Sequence, residues 1–241
     1  MAISIYKSAR FSLIVQIIIC LICSYGLTFK LQPKDKILSE LLILETVVQA
    51  IELMFYVGLL YSFSKVKNNV SVLRYYDWFL TTPTMLFTII AFMIYKQETG
   101  SEDKKSLDKN GTKDKTYSTV TTVFQDYRKT ILQILFLNAA MLFFGVIGEK
   151  KIISRKRAFL SGSAVFTSAF YLIYKNFVND ILINKIVFWF NFILWGMYGI
   201  AYTFSYKNQN IAYNILDIFS KNLNGLLIFG YVYYLATSYT K

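Results

Sequence analysis

Read for hydropathy alone, the chain alternates long apolar runs with short polar tracts. The runs Phe11–Phe29, Ile37–Phe63, Val72–Tyr95, Ala158–Phe177, Ile181–Tyr206 and Asn208–Tyr234 each match the roughly 20 residues with which an α-helix crosses a bilayer. A shorter run, Thr130–Ile147, ends at Gly148-Glu149-Lys150-Lys151. The pattern predicts an all-α membrane protein, a seven-transmembrane helix bundle forming one domain over residues 1–241. Lys7 and Arg10 stand before the first run as they would in a signal peptide. That run is long and lacks a small-residue cleavage site, so it reads as an uncleaved span. The tract Lys96–Lys129 is polar and mixed in charge, with Gly100, Gly111 and a Ser/Thr run from Ser118 to Thr122. It reads as an interhelical loop with a helical approach to the fourth span after Val123. Seven spans put the termini on opposite sides, and the bias of Lys and Arg, which rests on the 96–129 tract, places the N-terminus outside.

The polar positions inside these runs are not scattered. Ser12 and Gln16 share a face of the first span, and Glu45, Gln49 and Glu52, at spacings of four and three, share a face of the second. On the seventh, Asn210, Asn214, Asp217 and Lys221 follow spacings of four, three and four. Such faces cannot meet lipid, and an ionisable side chain at bilayer depth marks a functional site. Lys221, with Asp217 one turn away, the third-span Asp77, and Arg74 one turn outward, makes a buried, nearly neutral quadrupole. It suits a protonated Schiff base on Lys221, whose charge nearby carboxylates stabilise, and so implies an aldehyde cofactor. A plain interhelical salt bridge is the alternative. Pro83 frees a backbone carbonyl in the third span, beside Thr81 and Thr82, whose hydroxyls can cover it.

Composition narrows this reading. The chain is 55% hydrophobic, as a polytopic membrane protein requires, and its +12 charge lies in short tracts between apolar runs, where lipid headgroups attract it. A nucleic-acid partner is therefore not expected. The chain has no histidine, which removes the commonest general base and the commonest zinc ligand. No enzymatic site and no metal are expected. Cys20 and Cys23, both in the first span, read as free thiols.

Arg74-Tyr75-Tyr76-Asp77-Trp78-Phe79-Leu80-Thr81-Thr82-Pro83 closely resembles the third-helix signature R-Y-x-D-W-x-x-T-T-P of the microbial (type 1) rhodopsins. Asp217 and Lys221 match their seventh-helix D-x-x-x-K, and the sixth span has the spaced aromatics Trp195 and Tyr198. The resemblance implies all-trans retinal on Lys221, Asp77 as primary counterion and proton acceptor, Asp217 as second counterion, and Arg74 organising the outer half. It implies Trp78 and Trp195 on either side of the polyene, with Tyr198 and Met85 lining it. Asn138 would bond the third-helix Thr82, with Met141 and Gly145 contacting the ring.

Departures from the family pattern bear on mechanism. Outward proton pumps of this family place a carboxylate eleven residues after the counterion; here that position is Thr88, giving Asp77, Thr81 and Thr88. Ser205, Tyr206, Lys207 and Asn208 stand where pumps carry proton-releasing glutamates, and Gly199 replaces a sixth-helix proline. The polar faces of the first, second and seventh spans, Ser12, Gln16, Glu45, Gln49, Glu52, Asn210 and Asn214, form a track whose carboxylates favour cations. The second-helix glutamates and seventh-helix asparagines also resemble the giant-virus rhodopsins that act as light-gated cation channels. The expectation is a retinal photoreceptor and light-gated cation channel in the lipid bilayer. Its partners would be monovalent cations or protons, and its constrictions Glu45, Glu52, Asn214 and Ser12. Glu45 and Glu52 as interhelical hydrogen-bonding groups, a proton pump using Glu45 as donor, a photosensor and a non-retinal transporter are the alternatives. The sequence does not read out an oligomeric state.

Overall fold

Ser4, Thr119 and Ser154 each turn a side-chain oxygen to the backbone N–H three residues on, and each opens a helix. In this computed structural model, residues 4–105 and 119–238 are described. They form α1 (Ile5–Gly26), α2 (Lys36–Tyr61), the one-turn α3 (Phe63–Val66), α4 (Val70–Lys105), α5 (Val120–Glu149), α6 (Arg155–Phe177), α7 (Leu182–Tyr202), α8 (Tyr206–Ser220) and α9 (Asn222–Ser238). A 3-10 turn at Pro33–Asp35 leads into α2, and no strand occurs among the described residues. With α8 and α9 continuing one another across Lys221, the long helices make seven rods: α1, α2, α4, α5, α6, α7 and α8–α9. This is the expected seven-transmembrane helix bundle.

Four segments, Ile5–Gly26, Pro33–Tyr61, Val70–Thr99 and Val120–Glu149, are long and apolar enough to cross a membrane on length and hydropathy alone. The last three rods are more polar for local reasons. Arg155, Lys156 and Arg157 open α6, Asn184, Lys185 and Asn191 lie in α7, and the seventh rod carries Asp217 and Lys221. Side chains such as Leu21, Met54, Phe136, Leu160 and Ile193 are exposed on the outside of the bundle, where lipid rather than water is the solvent.

Each rod packs on the next, and the ring closes where α1 meets α8 and α9; α2 also packs on α9. The first, second and seventh rods are thus mutual neighbours, so the three polar faces can meet. Cys20 and Cys23 are free thiols, as expected.

Two expectations are corrected. The 96–129 tract is not a loop throughout, because α4 continues to Lys105 and α5 begins at Val120; residues 106–118 of that tract lie outside the described ones. Polarity there marks the exit from lipid, and a helix can continue past it because its backbone hydrogen bonds are internal. Glu40 on α2 fixes the start of α5 by accepting from the Val120 N–H at 2.8 Å. The second correction is the seventh span, which is two helices divided at Lys221.

Candidate functional site

Spacings of three and four along α4 put Arg74, Asp77 and Thr81 on the inward face of one helix, all buried. Thr81 and Thr82 donate to the carbonyls of Asp77 and Trp78 at 3.0 and 2.7 Å, and Thr84 to Leu80 at 3.2 Å. These carbonyls flank that of Phe79, which Pro83 leaves free, so the hydroxyls tighten the kinked stretch from either side. Asn138 of α5 donates to the Thr82 hydroxyl at 2.8 Å, as expected.

Opposite this face, Lys221 is 2% exposed, and its ammonium lies 2.5 Å from Asp77 Oδ2 and 3.7 Å from Glu52 Oε1. The expected second carboxylate, Asp217, turns instead to Arg74, whose Nη1 is 2.9 Å from its Oδ2. Tyr56 of α2 donates to the same oxygen at 2.7 Å, and Tyr198 of α7 donates to Oδ1 at 2.8 Å. Three carboxylates, Glu52, Asp77 and Asp217, therefore share two cations, and the quadrupole gains a fifth member. Helical spacing fixes which residues share a face but not how far each reaches across the bundle. Glu52, expected as a constriction of the ion path, reaches Lys221. Taking such charges out of water costs several kcal/mol per ion, which only close pairing and added hydrogen bonds offset.

The other polar residues fall into three hydrogen-bonded groups. Toward the amino-terminal end of the bundle, Ser12 donates to the Asn214 carbonyl at 2.8 Å, and Asn214 donates to Ser8 at 2.7 Å while accepting from Arg74. Asn210 donates to Ser71 at 2.8 Å and accepts from Arg74 Nε at 3.5 Å. At the level of Lys221, Gln16 donates to Gln49, and Gln49 donates to the Lys221 carbonyl at 3.1 Å. Further on, Thr88 donates to Glu45 across α4 and α2. All seven residues of the expected track are buried, 0–2% exposed.

A cavity of about 320 Å³ runs from Lys221 between α4, α5, α6 and α7. Its wall includes the expected Trp78, Thr82, Met85, Met141, Gly145, Trp195 and Tyr198. Arg74, Asp77, Thr81, Asn138 and Asp217 do not line it. The cavity has the size of a small-molecule pocket, about 300–1,000 Å³, its wall is mostly apolar, and it ends on a buried primary amine beside a carboxylate. These features fit a long apolar aldehyde joined to Lys221. The Trp195 indole N–H, buried with no partner among the described residues, also belongs to this wall. Residues not foreseen complete it, chiefly Tyr75, Phe159, Phe166, Tyr202 and Tyr213. Aromatic side chains serve cores and membrane interfaces alike, so apart from Tyr75, which lies in the third-helix signature, nothing in the sequence set these residues apart from the other aromatics.

A profile of the bacteriorhodopsin-like protein family matches residues 8–235. No curated protein matches the sequence. Among solved structures, the chain is similar to the viral rhodopsin OLPVRII, with a TM-score of 0.75 at 21% identity over 94% of this chain and 96% of that one. It is similar to the blue light-absorbing proteorhodopsin from Med12, with a TM-score of 0.70 at 16% identity over 95% and 96%. The proton pumping rhodopsin AR2 from the marine alga Acetabularia acetabulum gives 0.68 at 17% identity over 100% and 98%. With the profile match spanning nearly the whole chain, and with fold and site as described, the chain belongs to the bacteriorhodopsin-like family, whose members are retinal-binding integral membrane proteins.

Proposed function

We propose that this protein is a light-gated cation channel whose photoreceptor is all-trans retinal bound covalently at Lys221, with the N-terminus outside. The observation that carries this reading is the buried polar track on the first, second and seventh rods, which passes Lys221 and holds Glu45 and Glu52. Retinal, when bound, supplies the absorption of light and a change of shape at Lys221. The residues of the chain do the rest. Trp78, Met85, Met141, Gly145, Trp195 and Tyr198 confine the ligand. Asp77, 2.5 Å from Lys221 Nζ, takes up the proton held there. Once that proton moves, the attraction holding α4 to the seventh rod at this point is gone. Arg74, Asp217, Glu52 and Asn214 can then change partners. The three hydrogen-bonded groups supply successive constrictions: Ser12, Asn214 and Arg74 outside, Glu52 with Gln16 and Gln49 at mid-depth, and Glu45 with Thr88 inside. Carboxylates at two of the three levels favour cations.

The test is whole-cell photocurrent against voltage in retinal-supplied cells, with sodium, potassium and pH varied on each side. A current that reverses at the potential set by the cation gradients supports the channel. Glu52→Gln and Asn214→Ala should then alter its size or selectivity, and unchanged currents in both would remove the track. One observation favours a second reading. Glu45 is hydrogen-bonded to Thr88, the position where outward proton pumps of this family keep their internal carboxylate. A current that stays outward at all voltages near rest and ignores sodium would mean a pump with Glu45 as proton donor. A coloured protein without current would mean a photosensor.

A further inference from the structure

The seventh rod is interrupted at the residue that bears the functional amine, and a side chain from the second rod sits at the interruption. α8 ends at Ser220 and α9 begins at Asn222. The Lys221 carbonyl is shared: the Gly225 N–H reaches it at 3.3 Å, long for a helical bond, and Gln49 Nε2 reaches it at 3.1 Å. The preceding carbonyl, that of Ser220, also takes a side-chain donor, the Asn224 amide at 3.0 Å, so side chains compete with the backbone ladder on both residues of the break. Gln49 is itself held. Gln16 of α1 donates both to the Gln49 backbone carbonyl, at 3.0 Å, and to Gln49 Oε1. With its oxygen committed to Gln16, the Gln49 amide can present only N–H to Lys221. Gly225 makes the approach possible, because a Cβ there would stand 3.2 Å from Gln49 Nε2 and 3.1 Å from Cys23 Sγ. Gln16, Gln49 and Lys221 are buried to within 2%.

We infer that Gln49 is a positioning residue for the photoreceptor lysine. Clamped by Gln16, it holds the Lys221 carbonyl beside the Gly225 N–H and so ties movement of the Lys221 peptide to the first and second rods. Gln49 does not line the retinal cavity, so it acts through the Lys221 backbone and not on the ligand. The inference rests on the reading of Lys221 as the retinal attachment site, and it deepens that reading by naming how motion at Lys221 reaches the polar track.

The test uses the full chain with carbonyl-13C lysine, with and without retinal, as native protein, Gln49→Met and Gln16→Met. In native-minus-variant infrared spectra the isotope-shifted Lys221 carbonyl band should move to higher wavenumber in Gln49→Met, because a carbonyl that loses a donor stiffens. It should move less in Gln16→Met, where the donor stays but its clamp is lost. Both variants should keep the native absorption maximum. In Gln49→Met, recovery of the dark colour after a flash should change roughly fivefold, the factor equivalent to one hydrogen bond of about 1 kcal/mol. An unmoved carbonyl band in either coloured variant overturns the inference, as does a moved band with native recovery. If the native protein is coloured, the band moves and recovery changes, but no light-driven current flows, the hold on Lys221 stands and only the channel reading falls.

Discussion

At the scale of single residues, the Asp217 carboxylate gathers three partners, with Arg74, Tyr56 and Tyr198 all bonded to it. The three partners are not equivalent. Tyr56→Phe removes a hydroxyl bonded to Asp217 at 2.7 Å and more loosely to Asn214 and Arg74 at 3.3 and 3.4 Å, and should cost about 1–1.5 kcal/mol. Arg74→Gln leaves a buried carboxylate without its cation and should cost about 3–5 kcal/mol. The midpoint of thermal bleaching should therefore fall far more in Arg74→Gln than in Tyr56→Phe, and equal falls would mean that Arg74 carries no pairing role. Glu52 makes a second prediction. Lying 3.7 Å from the Lys221 ammonium, its carboxylate lowers the energy of positive charge at Nζ in the dark. Light absorption draws that charge away from Nζ, so Glu52→Gln should move the absorption band to longer wavelength. An unmoved band would mean that Glu52 carries no charge beside Nζ in the dark. Asp77, Lys221 and Arg74 were legible in the sequence because a motif and the cost of charge in lipid both single them out. The exchange of partners between Asp217 and Glu52 was not, because it depends on how far two side chains reach across the bundle.

At the scale of elements, α5 meets its neighbours through glycine. A Cβ at Gly145 would run into the Tyr75 phenol of α4, and one at Gly148 into the Tyr202 hydroxyl of α7 and Ala158 of α6. Gly58 on α2 has nothing within 4 Å of the same position. Gly148→Ala should therefore destabilise the bundle by about 1–3 kcal/mol, as overpacking does. Gly58→Ala should leave it unchanged or slightly firmer, since alanine is the better helix former. Equal thermal midpoints for the two variants would show that α5 does not depend on this close approach. Gly145→Ala should in addition slow colour formation with added retinal, because the displaced Tyr75 ring borders the cavity. The rods themselves were readable from hydropathy, since each apolar run ends where polar residues gather. Their ends were read less well at α4 and α5, where helix outlasts hydrophobicity. The division at Lys221 was not read from the sequence, because the side chains that meet its carbonyls, Asn224 on Ser220 and the distant Gln49 on Lys221, leave no mark on the apolar pattern.

At the scale of the whole molecule, the ring order decides what the polar faces can do. α1, α2 and α8–α9 are neighbours, so their polar sides meet, while the cavity that ends on Lys221 lies among α4, α5, α6 and α7. Lys221 thus stands between an apolar cavity and a buried polar track. The Glu45–Thr88 contact tests which kind of transport the far half of the track supports. It joins a carboxylate on α2 to a hydroxyl on α4, and both groups are buried within 1%. Exchanging them, Glu45→Thr with Thr88→Asp, keeps one carboxylate and one hydroxyl at the same crossing and should fold nearly as well as the native chain. Glu45→Leu alone leaves the Thr88 hydroxyl with only the Met85 carbonyl, at 3.0 Å, and should cost about 1 kcal/mol. The exchange moves the carboxylate from α2 to α4, the rod that carries Asp77. In a channel whose inner constriction is Glu45, the exchanged protein should show smaller photocurrents that still reverse with the cation gradient. In a pump that uses Glu45 as donor, the exchange should keep the outward current and speed the return of the proton to Lys221. Photocurrents recorded across a range of voltages distinguish the two, because only a passive path reverses sign when the gradient is reversed.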